Sequence, residues 1–354
     1  MPKTKVLVID DSALMRQLIT QILSQAPDLE VIGAASDPYQ AREKILAHKP
    51  DVLTLDVEMP RMDGLTFLGK LMRSRPMPVV MVSSLTEKGC DTTFRALELG
   101  AVDFVTKPRI DVTEGMANIG TEIIDKVRIA ARANVSRLTT TSEAPTINNQ
   151  SFDALIQSTH KVIAIGTSTG GTQALMNIIP HLPSNTPGIV IVIHMPSGFT
   201  KRYAKRLNEL SQMQVTEAEC GEVIIPGRVF IAPGHRHMTV CRSGARYQIK
   251  ITDDPPVNQF RPSVDVLFES CAKYVGSNAL GVMLTGMGND GAQGMLAMKN
   301  AGSHTIAQDE ASCIVYGMPK EAVRLGGAVE VLPLDKIANA VLTEARKMVA
   351  DVTT

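Results

Sequence analysis

A serine in a glycine-bracketed turn is the first candidate for chemistry in this chain. Ser168 lies in the stretch KVIAIGTSTGG, where the apolar run 162–165 predicts a buried strand and the residues after Gly171 have a helical pattern. At such a strand-to-helix turn the first N–H groups of the helix lack partners, so the hydroxyl would lie beside donors that can hold an anion. Residues 166–170 also fit the G-x-S-x-G pattern of a nucleophilic serine, although a tight or phosphate-binding turn would give the same pattern.

A histidine and an aspartate follow two later predicted strands and complete a catalytic set. His194 comes directly after the apolar run 188–193, and Asp290 lies in the loop after the run 279–284. Because the carboxyl ends of parallel strands lie at one edge of a sheet, we expect both side chains to meet Ser168 there. An imidazole can take the proton of a serine hydroxyl, and a carboxylate can fix the tautomer of that imidazole. The sequence therefore predicts hydrolysis with Ser168, His194 and Asp290 as the catalytic residues.

Backbone N–H groups near the serine would stabilise the charge that develops on the substrate carbonyl oxygen. Two loops can provide them, the turn at Thr169 and Gly170 and the glycine loop 286–288, and the sequence does not choose between them. The chain order serine, histidine, aspartate differs from the serine, aspartate, histidine order of lipase-type hydrolases, so we do not expect that fold.

Two other interpretations concern binding rather than hydrolysis. The loop 166–171 could hold a nucleotide, but it has no lysine of a Walker loop and does not match the dinucleotide pattern G-x-G-x-x-G. His235 and His237 would face the same side of a strand, which suggests a metal pair with Asp253 or Asp254 as a third ligand. They follow a Pro-Gly turn and nothing fixes that third ligand, so we expect surface or substrate-contacting positions for both histidines.

Three carboxylates, a hydroxyl and an ammonium group form a second candidate site near the start of the chain. Asp10 with Asp11, Asp56, Ser83 and Lys107 stand at the ends of four short apolar runs, which should share one edge of a sheet. Clustered carboxylates repel one another and need a cation, and an all-oxygen ligand set with room for water suits Mg²⁺. With that ion, the sequence predicts Asp56 as a phosphoryl acceptor, with Lys107 and Ser83 placed to hold the new charge.

Short apolar strands alternate with amphipathic helical stretches, which predicts an α/β fold with two doubly wound parallel-sheet domains. In the first domain the predicted strands are residues 6–9, 30–34, 52–55, 79–82 and 104–105. In the second they are residues 162–165, 188–193 and 279–284, with a helix at 264–274. Residues 215–219, 229–232, 238–241 and 247–251 are separated by Gly/Pro turns, and this pattern predicts an antiparallel β insertion on the second sheet.

The composition bears on nucleic-acid binding, on the state of the cysteines and on cellular location. Lysine plus arginine and aspartate plus glutamate number 36 each in 354 residues, so the charge balance gives no footprint for nucleic acid. The five cysteines are widely spaced and never form C-x-x-C, which favours a reducing cytosol over a disulfide frame or zinc site. No run of 18 apolar residues and no signal peptide is visible, so we expect a cytoplasmic protein without direct membrane insertion.

Residues 3–125 strongly resemble the receiver domain of two-component response regulators. The resemblance is carried by the acidic pair at the end of the first strand, the run LDVEMPRMDG, Ser83 and the segment FVTKP. It implies that a histidine kinase donates a phosphoryl group to Asp56 and that Mg²⁺ is bound by Asp10, Asp11 and Asp56. The switch positions that it implies are Ser83, Phe104 and Lys107.

A change of composition separates this region from the serine site. After a last helical stretch, the run NVSRLTTTSEAPTINNQS is poor in apolar residues and rich in Ser, Thr and Asn, which is typical of a linker. The predicted organisation is a receiver domain at 1–125, a helix end and flexible linker at 126–158, and a catalytic domain at 159–350.

Residues 161–345 resemble the catalytic domain of the chemotaxis protein-glutamate methylesterases and protein-glutamine glutaminases. The motifs that carry the resemblance are GTSTGG, HMPSGFT, RPSVDVLF, LTGMGNDG and AQDEASCIVYGMP. It implies that Ser168 attacks the side-chain carbonyl of a methylated glutamate, or of a glutamine, on methyl-accepting chemoreceptors. His194 would assist and Asp290 would orient His194, no cofactor is implied for this site, and phosphorylation of Asp56 would activate the enzyme.

Overall fold

The computed structural model of the 354-residue chain describes residues 2–84, 86–107, 113–133, 135 and 161–350. The chain divides into two compact units, Met1–Thr141 and Ser142–Thr354. Most of the predicted linker falls outside the described residues. The exact domain limits at 125 and 159 therefore remain predictions.

The first unit is built around a five-stranded parallel sheet of order β2-β1-β3-β4-β5, as the alternating pattern predicted. Its strands are β1 (Thr4–Ile9), β2 (Leu29–Ala35), β3 (Val52–Asp56), β4 (Val79–Ser83) and β5 (Asp103–Thr106). Its helices are α1 (Ala13–Ser24), α2 (Pro38–His48), α3 (Gly64–Ser74), α4 (Glu87–Glu98) and α5 (Thr113–Ala131). Strands β3 and β4 are fully buried, as expected for a parallel sheet covered on both faces.

Helix α3 begins against the backbone of the residue that ends β3. A Cβ atom on Gly64 would lie only 2.1 Å from the carbonyl oxygen of Asp56, so a side chain at this position would collide with the backbone. Glycine therefore allows α3 to start beside Asp56, and the Asp63 carboxylate caps the helix by accepting from the Thr66 amide at 2.7 Å.

The second unit contains a seven-stranded sheet of order β14-β13-β12-β6-β7-β9-β8 and a separate two-stranded hairpin, β10-β11. Its strands are β6 (Val162–Thr167), β7 (Gly188–Ile193), β8 (Gln214–Glu217), β9 (Arg228–Ile231), β10 (His237–Ser243), β11 (Arg246–Thr252), β12 (Ala279–Met283), β13 (His304–Gln308) and β14 (Glu330–Leu332). Its helices are α6 (Gly171–Met176), α7 (Phe199–Leu210), α8 (Val264–Tyr274), α9 (Ala292–Asn300), α10 (Met318–Arg324) and α11 (Leu334–Ala350).

The predicted antiparallel insertion is only half correct. The strands β10 and β11 pair antiparallel, but β8 and β9 pair in parallel with each other, and β9 pairs in parallel with β7. The reason is visible in β9, where Val229, Phe230 and Ile231 are all buried. Three consecutive buried apolar residues are typical of a strand covered on both faces of a parallel sheet, whereas a half-exposed hairpin alternates.

Two further observations concern membrane-spanning helices and disulfide bonds. Among the helices of the described residues, none is long and apolar enough to cross a membrane. All five cysteines lie within the described ranges, and no disulfide bond joins them.

Candidate active site

The register of the second sheet brings Ser168 and His194 side by side. Thr167 and Ile193 are the last paired residues of β6 and β7, so the serine and the histidine are the next residue on each neighbouring strand. The His194 amide donates to the Thr167 carbonyl at 3.2 Å. On the other side of β6, the Ser168 amide donates to the carbonyl of Thr285, at 3.1 Å, which fixes the loop after β12 against the serine.

The carboxylate of Asp290 is fully buried and binds the ring of His194. The distance from His194 Nε2 to Asp290 Oδ2 is 2.8 Å. Further donors are Ser263 Oγ at 2.7 Å, Asn258 Nδ2 at 3.0 Å and the Val264 amide at 2.6 Å. The Val264 amide belongs to the first turn of α8, so the carboxylate also lies at the positive end of a helix.

These contacts determine the charge of Asp290. Burial by itself would raise the pKa of this carboxyl, but the hydrogen bond and the positive charge of His194, with the bonds from Ser263 and Asn258, hold its pKa below the ordinary value of 3.8. Asp290 is therefore ionised at neutral pH. An ionised carboxylate stabilises the imidazolium form and fixes which ring nitrogen carries a proton.

The other ring nitrogen of His194 is the one available to the serine. Its Nδ1 is buried and has no hydrogen-bond partner, and the Phe260 ring stacks on the imidazole with centroids 3.8 Å apart and planes 3° apart. Since Asp290 engages Nε2, Nδ1 is the ring nitrogen left for the role of base that the sequence predicts for His194. The Ser168 hydroxyl is not bonded to it in this structure. Catalytic hydrogen bonds commonly tighten only when substrate binds.

The glycine-rich turn at the end of β6 is built for rigidity rather than for a phosphate. Of its amides, that of Ser168 donates to Thr285 and that of Gly171 donates to the Ser168 carbonyl. The hydroxyl of Thr167 is bonded to the Thr285 carbonyl at 2.8 Å. Two of the amides that a phosphate would need are thus occupied, which argues against the nucleotide-binding alternative.

Sequence reasoning missed three residues of this site as separate participants, namely Asn258, Phe260 and Ser263. They precede α8, and two of them fall within or beside the motif RPSVDVLF, which had been used only for the resemblance. Asn258 and Gln259 form a turn with φ of 51° and 70°, and no glycine marks it. Asparagine, which tolerates this left-handed backbone region better than most residues, was the available signal.

The expectation for His235 and His237 was wrong for one of the two residues. His235 is exposed with φ 65°, as a surface position allows, but His237 is fully buried. Its Nδ1 accepts from the Ser263 amide at 3.2 Å and its Nε2 lies 3.1 Å from the Pro255 carbonyl oxygen. Both nitrogens are engaged, so His237 is not a metal ligand, and the groups of metal-type ligands within the described ranges do not include it.

In the first unit, the predicted acidic cluster assembles at the carboxyl edge of the sheet. Ligand oxygens of Asp10, Asp11 and Asp56 all lie within 4.8 Å of one another. Asp10 and Asp56 are buried and Asp11 is exposed. Lys107 Nζ is 2.7 Å from Asp56 Oδ2 and 3.6 Å from Asp10 Oδ2. Asp10 Oδ2 is buried without a hydrogen bond, an orphaned oxygen that fits a cation ligand.

Burial makes these carboxylates reluctant to ionise without a cation. It raises the pKa of Asp56 to about 6, assisted by the negative charge of Asp10 and opposed by Lys107. Burial also raises the pKa of Asp10. For Lys107, burial is outweighed by its bond to Asp56, so its pKa lies above 10.5 and the ammonium group stays charged. The single positive charge of Lys107 therefore does not balance the negative charges of the three carboxylates.

The predicted switch residues Ser83 and Phe104 are both buried, at the end of β4 and in β5. The Ser83 hydroxyl donates to the Gly89 carbonyl at 3.2 Å and accepts from Thr93 Oγ1 at 2.7 Å, so it is held by α4. Lys126 of α5 lies 4.9 Å from the centroid of the Phe104 ring and donates to the Phe104 carbonyl at 2.7 Å.

One other group of metal-type side chains occurs within the described ranges, formed by His304, Glu330 and Glu344. His304 Nε2 is 3.6 Å from Glu330 and its Nδ1 is 3.7 Å from Glu344, so the ring lies between the two carboxylates. Lys347 also binds Glu344, at 2.6 Å. The arrangement is an ion-pair cluster that ties β13 and β14 to α11.

Comparison with known proteins places both units in described families. Residues 163–341 match the CheB methylesterase model, and residues 6–118 match the response regulator receiver domain. The protein-glutamate methylesterase/protein-glutamine glutaminase of Salmonella typhimurium is 56% identical over 344 residues, covering 97% of each chain. A protein of the same name, numbered 3, from Burkholderia lata is 55% identical over 356 residues, covering 98% of this chain and 97% of the relative.

A solved structure agrees with the second unit. The catalytic domain of the CheB methylesterase of Thermotoga maritima is 42% identical, with a TM-score of 0.51, and the match covers 52% of this chain and 97% of that domain. The fold, the sheet edge that carries Ser168 and the full-length identity to curated relatives all agree. The chain therefore belongs to the CheB methylesterase family, an enzyme family of protein-glutamate methylesterases/protein-glutamine glutaminases, with a response regulator receiver domain in its N-terminal part.

Proposed function

We propose that this enzyme hydrolyses the methyl esters of glutamate side chains, and deamidates glutamine side chains, on the cytoplasmic part of methyl-accepting chemoreceptors. Ser168 is the nucleophile, His194 the general base and Asp290 the residue that orients the base. The observation that carries the proposal is the hydrogen bond of 2.8 Å between His194, which directly follows the strand next to that of Ser168, and the buried carboxylate of Asp290. The curated relatives carry both activities in their names.

The reaction follows from the free nitrogen of the imidazole. His194 Nδ1 takes the hydroxyl proton while Ser168 Oγ bonds to the side-chain carbonyl carbon of the substrate. The resulting tetrahedral intermediate expels methanol, or ammonia from a glutamine, which leaves with the proton that His194 returns. Water then attacks the acyl-enzyme, giving its proton to His194, and glutamate and the free Ser168 hydroxyl are released. Asp290 stays ionised throughout and stabilises the imidazolium.

Backbone amides of the two loops beside the serine hold the negative oxygen of the intermediate. The candidates are the amides of Gly170 and Met287, neither of which donates a hydrogen bond within the described part of the chain. Gly286 lies against the serine, since a Cβ on it would be 2.9 Å from Ser168 Cβ. Each such donor is worth on the order of 10²–10³ in rate.

The receiver unit controls this activity through Asp56, which accepts a phosphoryl group from a chemotaxis histidine kinase. Asp10, Asp11 and Asp56 would hold Mg²⁺, and their charge, oxygen donors and orphaned Asp10 Oδ2 fit that ion. When bound, the ion neutralises the carboxylates and the transferred phosphoryl oxygens. Lys107 binds the same oxygens, and Ser83 and Phe104 change position in response.

The test is methanol release from a carboxyl-methylated chemoreceptor. Ser168→Ala should reduce the rate at least about 10³-fold, because it removes the attacking oxygen. Ser243→Ala, an exposed serine on β10, is the matched control and should keep the full rate. Retention of methanol release by folded Ser168→Ala would refute the proposed chemistry.

A further inference from the structure

The segment 255–263 joins β11 to α8 and lies over the catalytic pair; we call it the flap. Its most extensive contact is the Phe260 ring, which stacks on the imidazole of His194 at 3.8 Å with almost parallel planes. A stacked ring blocks one face of the imidazole and limits its rotation.

Two polar side chains of the flap bind the carboxylate that orients this imidazole. Ser263 Oγ donates to Asp290 Oδ1 at 2.7 Å. The Asn258 amide group donates to Asp290 Oδ1 at 3.0 Å and to Asp265 Oδ2 at 2.7 Å, so it lies between two carboxylates that would otherwise repel each other. The flap thus contacts both members of the catalytic pair.

Apart from the hydrogen bonds of Asn258, the tip of the flap is exposed. Residues 255–259 are exposed, and Val257 and Phe260 exchange backbone hydrogen bonds of 3.0 and 2.9 Å across a two-residue turn. Both turn residues, Asn258 and Gln259, have positive φ without being glycine, which costs energy that other contacts must offset. Segments with few buried contacts open locally at low free energy. Contacts at the two ends of the flap would limit such opening.

His237 binds the flap at both of its ends. The amide of Ser263 donates to His237 Nδ1 at 3.2 Å, and His237 Nε2 is 3.1 Å from the carbonyl oxygen of Pro255. An amide N–H can only donate and a carbonyl oxygen can only accept, so the two bonds require the neutral imidazole with its proton on Nε2. Since His237 is fully buried at the start of β10, it fastens the flap to the rigid hairpin.

We propose that His237 is a positioning residue for hydrolysis: by fastening both ends of the flap, it keeps Phe260 on His194 and keeps Asn258 and Ser263 on Asp290. This inference rests on the proposed function, because it concerns the same catalytic pair. His237 acts only through the flap, on the orientation of the base. A misplacement of about 1 Å in such a group reduces turnover by about 10²-fold.

The first test replaces His237 in the full chain and measures methanol release from the methylated receptor. His237→Leu, which removes both hydrogen bonds, should lower kcat per folded molecule by about 10- to 100-fold and leave KM nearly unchanged. His237→Gln, which keeps a donor and an acceptor, should recover most of that loss. A role in folding alone would lower the melting temperature but leave kcat of the folded fraction at the wild-type value, and that result would overturn the inference.

The matched control and the route of the effect need two further variants. His235→Asn changes the exposed neighbouring histidine to a residue that accepts its φ of 65°, and it should keep the wild-type kcat. Phe260→Leu should lower kcat by removing the stacked ring. If His237 acts through the flap, the double variant should lose hardly more than the worse single variant, whereas fully additive losses would contradict the inference.

These outcomes separate the inference from the proposed function. If wild-type protein releases no methanol, the proposed function fails. If wild type is active and folded His237→Leu is equally active, only the role of His237 fails. Should His237→Leu not fold, His237→Asn, which is too short to reach both partners, replaces it: a loss of kcat that disappears on the Phe260→Leu background supports action through the flap, and additive losses or an unchanged kcat contradict it.

Discussion

Asp56 in the first unit and Asp290 in the second are both buried aspartates at the carboxyl edge of a parallel sheet, yet their surroundings are opposite. Asp56 accepts hydrogen bonds from Lys107 and from the Glu58 amide, and burial raises its pKa to about 6. Asp290 accepts from a histidine, a serine, an asparagine and a helix amide, and its pKa is lowered. Two buried aspartates at the same kind of sheet edge therefore have pKa values shifted in opposite directions.

The number of hydrogen-bond donors around each buried carboxylate fits the role that we propose for it. A carboxylate that must attack phosphorus, or bind a cation, needs lone pairs that the protein leaves available, and Asp56 with its neighbour Asp10 has them. A carboxylate that must orient a base needs its charge and position fixed. Asp290 has both, because its donors come from β7, the flap and α8.

The largest expected effect comes from removing the charge of Asp290. In Asp290→Asn the neutral amide neither stabilises an imidazolium nor fixes the same tautomer of His194, so kcat for methanol release should fall by about 10²–10⁴-fold. Asp253→Asn, which changes an exposed aspartate paired with Arg236, is the control and should keep the wild-type kcat. A loss of less than a few fold in Asp290→Asn would show that the donor-rich carboxylate is not the orienting group.

A smaller effect on methanol release is expected from replacing Asp56, which accepts fewer hydrogen bonds than Asp290. Asp56→Asn removes the phosphoryl acceptor, so a phosphodonor with Mg²⁺ should no longer stimulate methanol release, while the basal rate without donor should remain. Esterase rates with and without donor, measured on wild type and variant, give the result directly. Full stimulation of Asp56→Asn would contradict the assignment of Asp56.

The smallest effect is on stability, and its sign differs between the two aspartates. The raised pKa of Asp56 means that the folded state binds a proton more tightly than the unfolded chain, so this contribution stabilises below about pH 4 and is lost as pH rises through 6. Without Mg²⁺, its charged form costs on the order of 1–3 kcal/mol at pH 7. Calorimetry of the full chain in chelator should find Asp56→Asn more stable than wild type at pH 7.

Asp290 should behave in the reverse manner. Its lowered pKa gives stabilisation that is present above the unfolded value of 3.8 and is lost as pH falls through the folded value, so Asp290→Asn should be less stable than wild type at pH 7. Equal pH dependence in the two variants would remove the contrast between the two sites.

The sequence predicted which residues meet at the edge of each sheet. Apolar runs mark the strands, and the carboxyl ends of parallel strands lie at one edge. The pairing of His194 with Asp290 across two loops followed from that rule alone, and the distance of 2.8 Å agrees with it. The direction of β8 and β9 was wrong, since turn residues mark where a strand ends but not which neighbour it joins. Only the continuous burial of β9 revealed a parallel partner.

The flap and the burial of His237 were beyond sequence reasoning for a related reason. Which partners a histidine finds depends on tertiary contacts between β10 and a loop almost twenty residues later, as in the contact with Pro255. Phe260 likewise has no periodic pattern that points toward His194. Such contacts are set by packing between elements, whereas the strand-end residues are set by the elements themselves.

The hydrogen bonds of the Ser83 hydroxyl have a consequence for the proposed switch. The Ser83 hydroxyl donates to the Gly89 carbonyl and accepts from Thr93 Oγ1, so a phosphoryl oxygen, which can only accept, would compete with Gly89 for the Ser83 proton. Under the proposed phosphorylation of Asp56, turning Ser83 toward the phosphoryl group would therefore break its bond to Gly89, while Thr93 could still donate to it. We expect the bond to Gly89 to oppose movement of Ser83 while Asp56 is unphosphorylated.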